Sequence, residues 1–474
     1  MKSKKILLIP AMVAMLLSGC GKGDPAAGKN KIQFWGWGDE VEIQVFKDLV
    51  KQYNANNTDN IYVEYTVKPS ASYVSSMDKI LGQNKTPDIF YVGDGDVKRW
   101  ATYDYLEDLT PYVAESTIID LTDIWEEGVN RYRYNTTTKS SEATDPLFCL
   151  PKDIGPTVIY YNVPAFRAVG ITIISKPASE CTEAEKHGFN KDTMTFNNRI
   201  SMTVEEEYKL AKLLTKSYNS SSPTTYGFYT EWWFNYVWSV GGDCLTKDPD
   251  GTYHWTLGST EPNGTAEHPL PSNRQMFKQF IDRSVVQHVM PNPSTVSSAK
   301  KASSFERQEI AMLVGLRAHV PEFRKSCKFE WDVAPLSHQD GGELAGHSGS
   351  MGFGISKKVS QERKNNAFKF MEYLAGPEGQ RATAKSGFNL PNQKSISRTE
   401  DFLQTNQYPH NSIVFVEAAE YQTEGDWAYL VDNLWIDDWA RDLNGPVLDG
   451  TMTLDQFFAK HQTATDEYLN AHYR

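Results

Sequence analysis

Residues 32–40 read "IQFWGWGDE", a short strand-like run that leads into a turn rich in glycine and tryptophan. Trp35 and Trp37 alternate here with Gly36 and Gly38. Tryptophan carries the largest apolar side chain, and glycine is used where the chain turns sharply or where another group approaches closely. We therefore expect a strand that ends at a ligand-facing loop. Trp37 is the expected aromatic platform, and Trp35 is expected to pack in the core or at its rim.

The same stretch opens an alternation of predicted strands and helices. Apolar side chains follow it at helical spacing, namely Val41, Val45, Phe46, Leu49 and Tyr53. Residues 61–67 then alternate as a β-branched strand, residues 73–81 form a helix, and a third strand lies within residues 87–96. This alternation predicts an α/β fold.

Later segments continue the pattern. Thr203 and Glu206 have the spacing of a capping box that starts a helix. Further strands are expected after the loop at 151–155 and over 309–316 and 351–357, and further helices over 274–288, 361–375 and 426–440. Residues 247–273 are rich in turn-forming residues and predict a loop or hairpin, whereas residues 177–199 show no periodicity and predict an insertion.

Three glycine-containing turns follow predicted strands, at residues 36–39, 93–96 and 315–317. In open α/β sheets, ligands bind beyond the carboxyl ends of the strands. Each turn also carries an aromatic or charged side chain, so the pattern predicts that these turns border a ligand site.

Composition narrows the class of partner. The chain has 474 residues, a net charge of -12, and 12% aromatic residues. This length predicts two or more domains. An acidic chain lacks the basic face that nucleic acid or anionic lipid requires, so no nucleic-acid partner is expected.

The amino terminus indicates export. Three lysines precede an apolar run that ends in Leu17-Ser18-Gly19-Cys20, which is too short to span a membrane and is typical of a signal peptide over residues 1–19. The last four residues resemble the lipobox of bacterial lipoproteins, in which Cys20 would carry the lipid. Residues 20–30 then form a lipidated cysteine and flexible tether, which places the protein on the extracellular face of the bacterial cell membrane.

Motifs for catalysis and metal binding are not evident. No metal-ligand spacing relates the remaining cysteines, Cys149, Cys181, Cys244 and Cys327. They are compatible both with disulfide bonds and with separate thiols. There is no His-Glu-x-x-His motif, nucleophile elbow or phosphate loop, so neither a cofactor nor a metal is predicted. The alternative that the protein is a glycoside hydrolase with a catalytic Asp/Glu pair stays open, because carboxylates are abundant.

The aromatic residues favour a sugar ligand. A pyranose presents an apolar face and a polar rim, so its site needs flat rings beside carboxylates, amides or arginine. Trp232 and Trp233 lie beside Glu231 and Asn235, and we expect one ring to stack and the other to pack, because adjacent side chains diverge. Arg317 is a ligand contact or pairs with a surface carboxylate, and Asp153 is a ligand contact or starts a turn.

Several segments together resemble the extracellular solute-binding proteins of carbohydrate ABC importers. The most specific is "FCLPKDIGPTVIYYNVPAFRAVGI" at residues 148–171. Others are the opening stretch, residues 85–113, residues 305–323, "WDVAPLSHQDGGELAGHSGSMGFGISKK" at 331–358, and residues 366–392. The resemblance implies a periplasmic-binding-protein-like fold of type II, with two α/β lobes joined by hinge strands, and no catalysis. Residues 31–156 plus 330–375 would form lobe 1, and residues 157–329 plus 376–474 would form lobe 2.

The resemblance also implies a site and partners. Its matching positions suggest ligand contacts at Trp37, Asp39, Asp94, Asp153, Trp232, Trp233, Arg317, Ser348, Gly349 and Trp427. The implied protein is a monomer that captures an oligosaccharide, with malto-oligosaccharide as the first candidate, and delivers it to the permease of an ABC importer. Two departures, the insertion at 177–199 and Gln308 in place of a usual glycine, leave the outline of the cleft in the second lobe open. A lipid-anchored glycoside hydrolase and an adhesion protein with an aromatic surface remain as alternatives.

Overall fold

The computed structural model describes residues 26–83, 85–296, 300–423, 425 and 430–474. Its strands are β1 (Asn30–Gly36), β2 (Ile61–Val67), β3 (Ile89–Gly93), β4 (Cys149–Pro151), β5 (Gly155–Asn162), β6 (Thr172–Ile174), β7 (Phe189–Asn190), β8 (Thr195–Asn197), β9 (Tyr226–Tyr229), β10 (Leu245–Lys247), β11 (Tyr253–Trp255), β12 (Asn263–Gly264), β13 (Pro269–Leu270), β14 (Ile310–Leu316), β15 (Trp331–Ala334), β16 (Ser348–Gly349) and β17 (Met351–Ile355). Its helices are α1 (Glu40–Asn56), α2 (Tyr73–Leu81), α3 (Val97–Thr102), α4 (Thr110–Glu115), α5 (Glu126–Asn130), α6 (Val163–Ala168), α7 (Val204–Leu213), α8 (Phe234–Trp238), α9 (Asn273–Val285), α10 (Lys301–Glu306), α11 (Val320–Ser326), α12 (Gln361–Ala375), α13 (Pro377–Ser386), α14 (Lys394–Ser397), α15 (Glu400–Leu403), α16 (Ile413–Ala418), α17 (Leu434–Asp442) and α18 (Leu454–His472).

The first sheet has the strand order β2-β1-β3-β17-β4. β1 runs parallel to β2 and β3, and β17 runs antiparallel to β3 and β4. Helices α1 and α12 pack on this sheet because each places an apolar stripe towards it. Phe34 at the centre of β1 lies 6.0 Å from Phe46 of α1 and 5.8 Å from Phe370 of α12, measured between ring centroids. These elements form the core of the first lobe.

The second sheet has the order β15-β5-β14-β9, and β16 also pairs with β5. All eight residues of β5 are buried, because apolar clusters cover both of its faces. Val158 and Tyr160 face one cluster, and Ile159 and Tyr161 face the other. A strand that is covered on both faces reads as a continuous apolar run, as residues 157–161 do.

The strand pairing corrects one part of the predicted lobe division. β15 pairs antiparallel with β5, so residues 331–334 belong to the second sheet and not to lobe 1, where the segment 330–375 was expected to lie. The short strand β16 also joins the second sheet, and the chain returns to the first sheet only at β17. The other predicted lobe boundaries stay predictions.

The chain crosses between the sheets at neighbouring places. It passes from β4 to β5 and returns from β16 to β17. The hinge strands that join two α/β lobes are therefore present, and the predicted two-lobed fold is confirmed.

Most predicted helices and strands occur at the positions that the spacing of apolar residues indicated. α2, α7, α9 and α12 agree closely with prediction, and Thr203 caps α7 through the predicted capping box. The segment 177–199 folds onto a small sheet of order β6-β8-β7, and residues 245–270 form two short hairpins. The helix predicted over 426–440 is observed as α17 from Leu434 onward, and residues 426–429 lie outside the described residues.

Within the described ranges, no helix is both long enough and apolar enough to cross a membrane. The predicted signal peptide, Cys20 and most of the tether precede residue 26 and lie outside the described residues.

Candidate functional site

The carboxyl edge of the first sheet brings two predicted loops together. β1 ends at Gly36 and β3 ends at Gly93, and the two strands are parallel, so residues 37–39 and 94–96 emerge side by side. β17 begins opposite Gly93, which places the crossing from the second lobe at the same edge. This edge therefore faces the junction of the two lobes, as the strand-end rule predicts.

Asp39 lies on the first of these loops. Its Oδ1 accepts a hydrogen bond of 2.8 Å from the backbone N–H of Glu42, so Asp39 is the N-cap of α1. The residue is exposed. Its first role is therefore structural, and ligand contact at Asp39 stays a prediction.

The two glycines in "WGWG" allow close packing. A Cβ on Gly36 would lie 2.9 Å from the ring of Tyr91, and a Cβ on Gly38 would lie 2.3 Å from Oε2 of Glu42. Neither glycine has a positive φ angle. Glycine is required here because other side chains approach the backbone, and not because the chain turns through a left-handed conformation.

The two tryptophans differ in their surroundings. Trp37 is half-buried, and its ring lies 6.4 Å from the rings of both Tyr73 and Tyr91 between centroids. Trp35 is also half-buried, at the rim of the core, with Nζ of Lys68 placed 3.5 Å from its ring centroid. Trp37 thus makes one tilted and one edge contact with tyrosine rings at the carboxyl edge of the sheet, while a cation covers Trp35.

Arg131 connects the lobes. Its Nη1 lies 3.1 Å from a carboxylate oxygen of Asp94 and donates a 2.6 Å hydrogen bond to the carbonyl oxygen of Ser348. Its Nη2 donates to Oε1 of Gln422 at 3.3 Å. Arg131 and Asp94 belong to the first lobe, whereas Ser348 and Gln422 belong to the second. A buried guanidinium therefore holds the predicted contact residue Asp94 against the interlobe crossing.

A second charged pair lies on the second lobe. Lys301 forms an ion pair with Glu231, and its ammonium lies 4.5 Å from the ring centroid of Trp232. The other neighbour of Trp232 is His347, whose ring is nearly parallel at 27° and 6.0 Å away. Trp232 is half-buried, so one indole of the adjacent pair lies at the interlobe surface.

His347 lies within the electrostatic reach of both charged pairs, Arg131 with Asp94 and Lys301 with Glu231. Burial lowers the pKa of His347 to about 4, an effect that Asp94 opposes and that Arg131 and Lys301 reinforce. The imidazole is therefore neutral at pH 7 and serves as a flat, polar surface beside Trp232. We call Asp94, Arg131, Trp232, Lys301 and His347 the interlobe cluster.

Asp153 is part of a buried charge network and not of an open ligand surface. Lys152 donates to Oε1 of Glu42 at 2.7 Å and also to Asp153, and all three residues are at most 4% exposed. Asn389 donates at 3.0 Å to Oδ2 of Asp153, the same oxygen that accepts from Lys152. The network joins α1, the crossing from β4 to β5, and the second lobe. The carboxylate of Asp153 pairs with an ammonium in the hinge, and ligand contact at Asp153 stays a prediction.

The ionisation of this network follows from its burial. Burial opposes the charged form of Lys152, but Asp153 and Glu42 outweigh it and raise the pKa of the ammonium. Burial raises the pKa of Glu42, and Lys152 only partly offsets this effect. Lys152 is therefore firmly charged, while two carboxylates share one cation.

Trp233 and Arg317 lie inside the second lobe. Trp233 is 8% exposed and packs on Phe277 and Trp439, so it is a core residue. Arg317 is 0% exposed, with its guanidinium carbon 4.8 Å and 5.0 Å from the ring centroids of Phe402 and Phe415. Among the described residues Arg317 has no carboxylate partner, and ligand contact at Trp233 and at Arg317 stays a prediction. Their side chains turn inward from the ends of β9 and β14.

The remaining predicted residues lie on the crossing strand or outside the described ranges. Ser348 is 3% exposed and pairs with Pro156 across the sheet, and Gly349 is half-buried beside Gly155. A Cβ on Gly155 would lie 3.1 Å from the carbonyl oxygen of Gly349, which explains this close pairing. Trp427 lies outside the described residues, and its ligand contact stays a prediction.

Sequence reasoning did not find Arg131, Lys301 or His347. Arg131 lies in an unremarkable polar segment, and Lys301 lies in a basic run that resembles a solvated surface. His347 directly precedes the predicted pair Ser348-Gly349, and this adjacency was the one available signal. The adjacent charges Lys152-Asp153 within an apolar run were a signal of the buried hinge network.

The cysteines can also be assigned. Within the part of the chain that the structure describes, no disulfide joins Cys149, Cys181, Cys244 and Cys327. Burial raises the pKa of Cys149, so its thiol is protonated at neutral pH.

Two α/β lobes, joined by crossing strands and lined by aromatic and charged side chains where they meet, define a ligand-binding protein of the two-lobed class. The chain belongs to the bacterial extracellular solute-binding protein family, whose model matches residues 37–381.

Solved structures share this fold. An ABC substrate-binding protein from Listeria monocytogenes in complex with cycloalternan is 19% identical, with a TM-score of 0.71 over 93% of this chain and 99% of that one. The cyclic alpha-maltosyl-1,6-maltose binding protein from Arthrobacter globiformis is 16% identical, with a TM-score of 0.69 over 94% and 100%. UgpB from Mycobacterium tuberculosis in complex with glycerophosphocholine is 15% identical, with a TM-score of 0.68 over 94% and 99%.

Proposed function

We propose that this protein captures an oligosaccharide between its two lobes and delivers it to the permease of an ABC importer. The observation that carries the proposal is the pair of half-buried indole rings, Trp37 at the edge of the first sheet and Trp232 on the second lobe, beside the polar groups of the interlobe cluster. Indole rings stack on the apolar face of a pyranose, and neighbouring carboxylates and guanidinium groups hydrogen-bond to its hydroxyls. No cofactor takes part.

Charge balance favours a neutral ligand. The two cations of the interlobe cluster are matched by carboxylates, since Arg131 contacts Asp94 and Lys301 contacts Glu231. His347 is uncharged at pH 7 because burial lowers its pKa to about 4. An anionic ligand would have to displace these pairs, whereas sugar hydroxyls can donate to the carboxylates and accept from the cations without a net change of charge.

Malto-oligosaccharide is the first ligand to test. The Arthrobacter globiformis relative is a cyclic alpha-maltosyl-1,6-maltose binding protein, and the Listeria monocytogenes relative holds cycloalternan. UgpB, which holds glycerophosphocholine, has the same fold, so fold likeness alone does not select the ligand. The aromatic and balanced polar surroundings favour the saccharide.

Binding would act through closure of the lobes. A ligand that contacts Trp37 on one lobe and Trp232 on the other has more contacts when the lobes are closed, so it shifts the population towards the closed state. The permease would then recognise this closed form of a monomeric protein. Lipid on Cys20 would hold the protein at the extracellular face of the membrane, with the tether allowing it to reach the permease.

Calorimetric titration with a panel of neutral and acidic oligosaccharides tests this function. We expect saturable binding of at least one neutral α-linked oligosaccharide, with no change in the sugar after prolonged incubation. Release of shorter sugars would favour the glycoside hydrolase alternative. Absence of binding across the panel would reject the receptor function and favour the adhesion alternative.

A further inference from the structure

The second lobe contains a buried cation whose nitrogen atoms have no hydrogen-bond acceptor. Arg317 follows β14 and is 0% exposed, and its Nε, Nη1 and Nη2 lack a partner among the described residues. Buried charges in proteins are nearly always paired or hydrogen-bonded, because an uncompensated charge is costly to remove from water. The surroundings of Arg317 therefore need an explanation.

The aromatic rings beside Arg317 explain part of its environment. The ring centroids of Phe402 and Phe415 lie 4.8 Å and 5.0 Å from the guanidinium carbon, so ring faces attract the charge. Ring faces do not accept the N–H groups that radiate in the guanidinium plane, and five such donors are present. A group with lone pairs in that plane would complete the site.

A second arginine contributes to the same region. Arg324 of α11 donates from Nε to the carbonyl oxygen of Tyr408 at 2.6 Å and from Nη1 to Gln404 at 2.5 Å, but its buried Nη2 has no partner in the described ranges. Burial and, to a smaller extent, the positive charge of Arg324 lower the pKa of Arg317 to about 9. Both guanidinium groups remain charged at neutral pH, and they lie near enough to each other for the charge of Arg324 to act on Arg317.

We propose that Arg317 and Arg324 bind a single small monovalent anion, of the halide class, in the interior of the second lobe. A monatomic anion accepts hydrogen bonds from any direction and fits a site bounded by aromatic rings. A monovalent ion also has less hydration to lose on burial than a doubly charged oxyanion has. The ion would tie the end of β14 and helix α11 to α15 and α16, which carry Phe402 and Phe415. It would stabilise the second lobe independently of the sugar site.

Thermal unfolding in sodium chloride tests the proposal, with sodium gluconate replacing chloride at constant ionic strength. A ligand that binds only the folded state raises the unfolding midpoint by mass action, so we expect a saturable rise with chloride. Arg317→Met keeps an apolar stem and removes the donors, and it should lose this rise. Arg324→Met should raise the half-saturating chloride concentration by roughly tenfold, because it removes one charge-assisted hydrogen bond.

Arg167→Met is the matched control, because Arg167 is 64% exposed and pairs only with Glu330 among the described residues. It should keep the full chloride response. Diffraction from wild-type crystals grown in sodium bromide gives a second readout that does not depend on the folding of any variant, and it should show an anomalous peak beside Arg317. The proposal is overturned by equal midpoints in chloride and gluconate, by an unchanged response in Arg317→Met, or by bromide density that avoids Arg317.

Discussion

Gly38 shows at the scale of one residue how the loop after β1 is constrained. A Cβ at this position would lie 2.3 Å from Oε2 of Glu42, and that carboxylate is held by Lys152. Gly38→Ala should therefore destabilise the protein by about 1–3 kcal/mol, the usual range for overpacking. Denaturant unfolding measures the effect. Gly445→Ala is the control, because nothing lies within 4 Å of its Cβ position, and an equal loss in both variants would contradict this account.

Trp37 and Trp35 form a matched pair for the ligand site. Trp37 rests on Tyr73 and Tyr91 at the carboxyl edge of the first sheet, whereas Lys68 covers Trp35. Trp37→Ala should weaken oligosaccharide binding by at least about 1 kcal/mol, roughly fivefold in Kd, because a stacking face is lost. Trp35→Ala should leave Kd nearly unchanged. Calorimetry on folded variants decides, and an unaltered affinity in Trp37→Ala would remove Trp37 from the site.

Single residues were the hardest scale to predict from the sequence. Adjacency predicted that Trp232 and Trp233 have different surroundings, because neighbouring side chains point apart. Trp233 does pack in the core. The burial of Arg317 and Asp153 did not follow, because a charged residue after a strand reads as a surface or ligand group. Their positions depend on Phe402, Phe415 and Glu42, which are distant in the chain.

The hinge network is the element that joins the lobes most directly. Lys152 is the cation for two buried carboxylates, Glu42 of α1 and Asp153 of the crossing segment. Lys152→Met would leave both carboxylates without a counter-charge, so we expect a loss of about 3–5 kcal/mol in the free energy of unfolding. Lys186→Met is the control, because it breaks an exposed pair with Glu183 and should cost far less than Lys152→Met. Equal losses would show that the network does not hold the hinge.

Local periodicity predicted the secondary-structure elements well because they form from local patterns. α2 occupies residues 73–81 as expected, and the capping box at Thr203 and Glu206 starts α7. Pairing between distant segments was less accessible. β15 joins β5 across more than a hundred residues, and its apolar sequence is equally compatible with either sheet. Periodicity describes which side chains are buried, but not which sheet buries them.

The free energy of unfolding of the whole molecule depends on pH, and Asp332 makes a testable contribution to this dependence. Burial raises the pKa of Asp332 to about 6 from 3.8, although backbone N–H groups of Val333 and Asn411 donate to it. Between about pH 4 and pH 6 the unfolded chain loses this proton first, so the contribution of Asp332 to stability falls as pH rises.

Asp332→Asn keeps the accepting oxygen and removes the titration. The stability of this variant relative to wild type should increase from about pH 4 to pH 7, by at most about 3 kcal/mol. Chemical unfolding of both proteins at several pH values measures this difference. The lowered pKa values of His319 and His347 act in the opposite direction, but they are common to both proteins and cancel. Parallel stability profiles would contradict the raised pKa of Asp332.

Closure of the two lobes over an oligosaccharide is tested most directly by small-angle X-ray scattering. If an oligosaccharide bridges the edge of the first sheet and the interlobe cluster, it must draw the lobes together. We predict that at least one neutral oligosaccharide lowers the radius of gyration of the wild-type protein, and that Trp37→Ala requires a higher sugar concentration for the same change. A radius of gyration that stays constant with every oligosaccharide at saturating concentration would contradict the account.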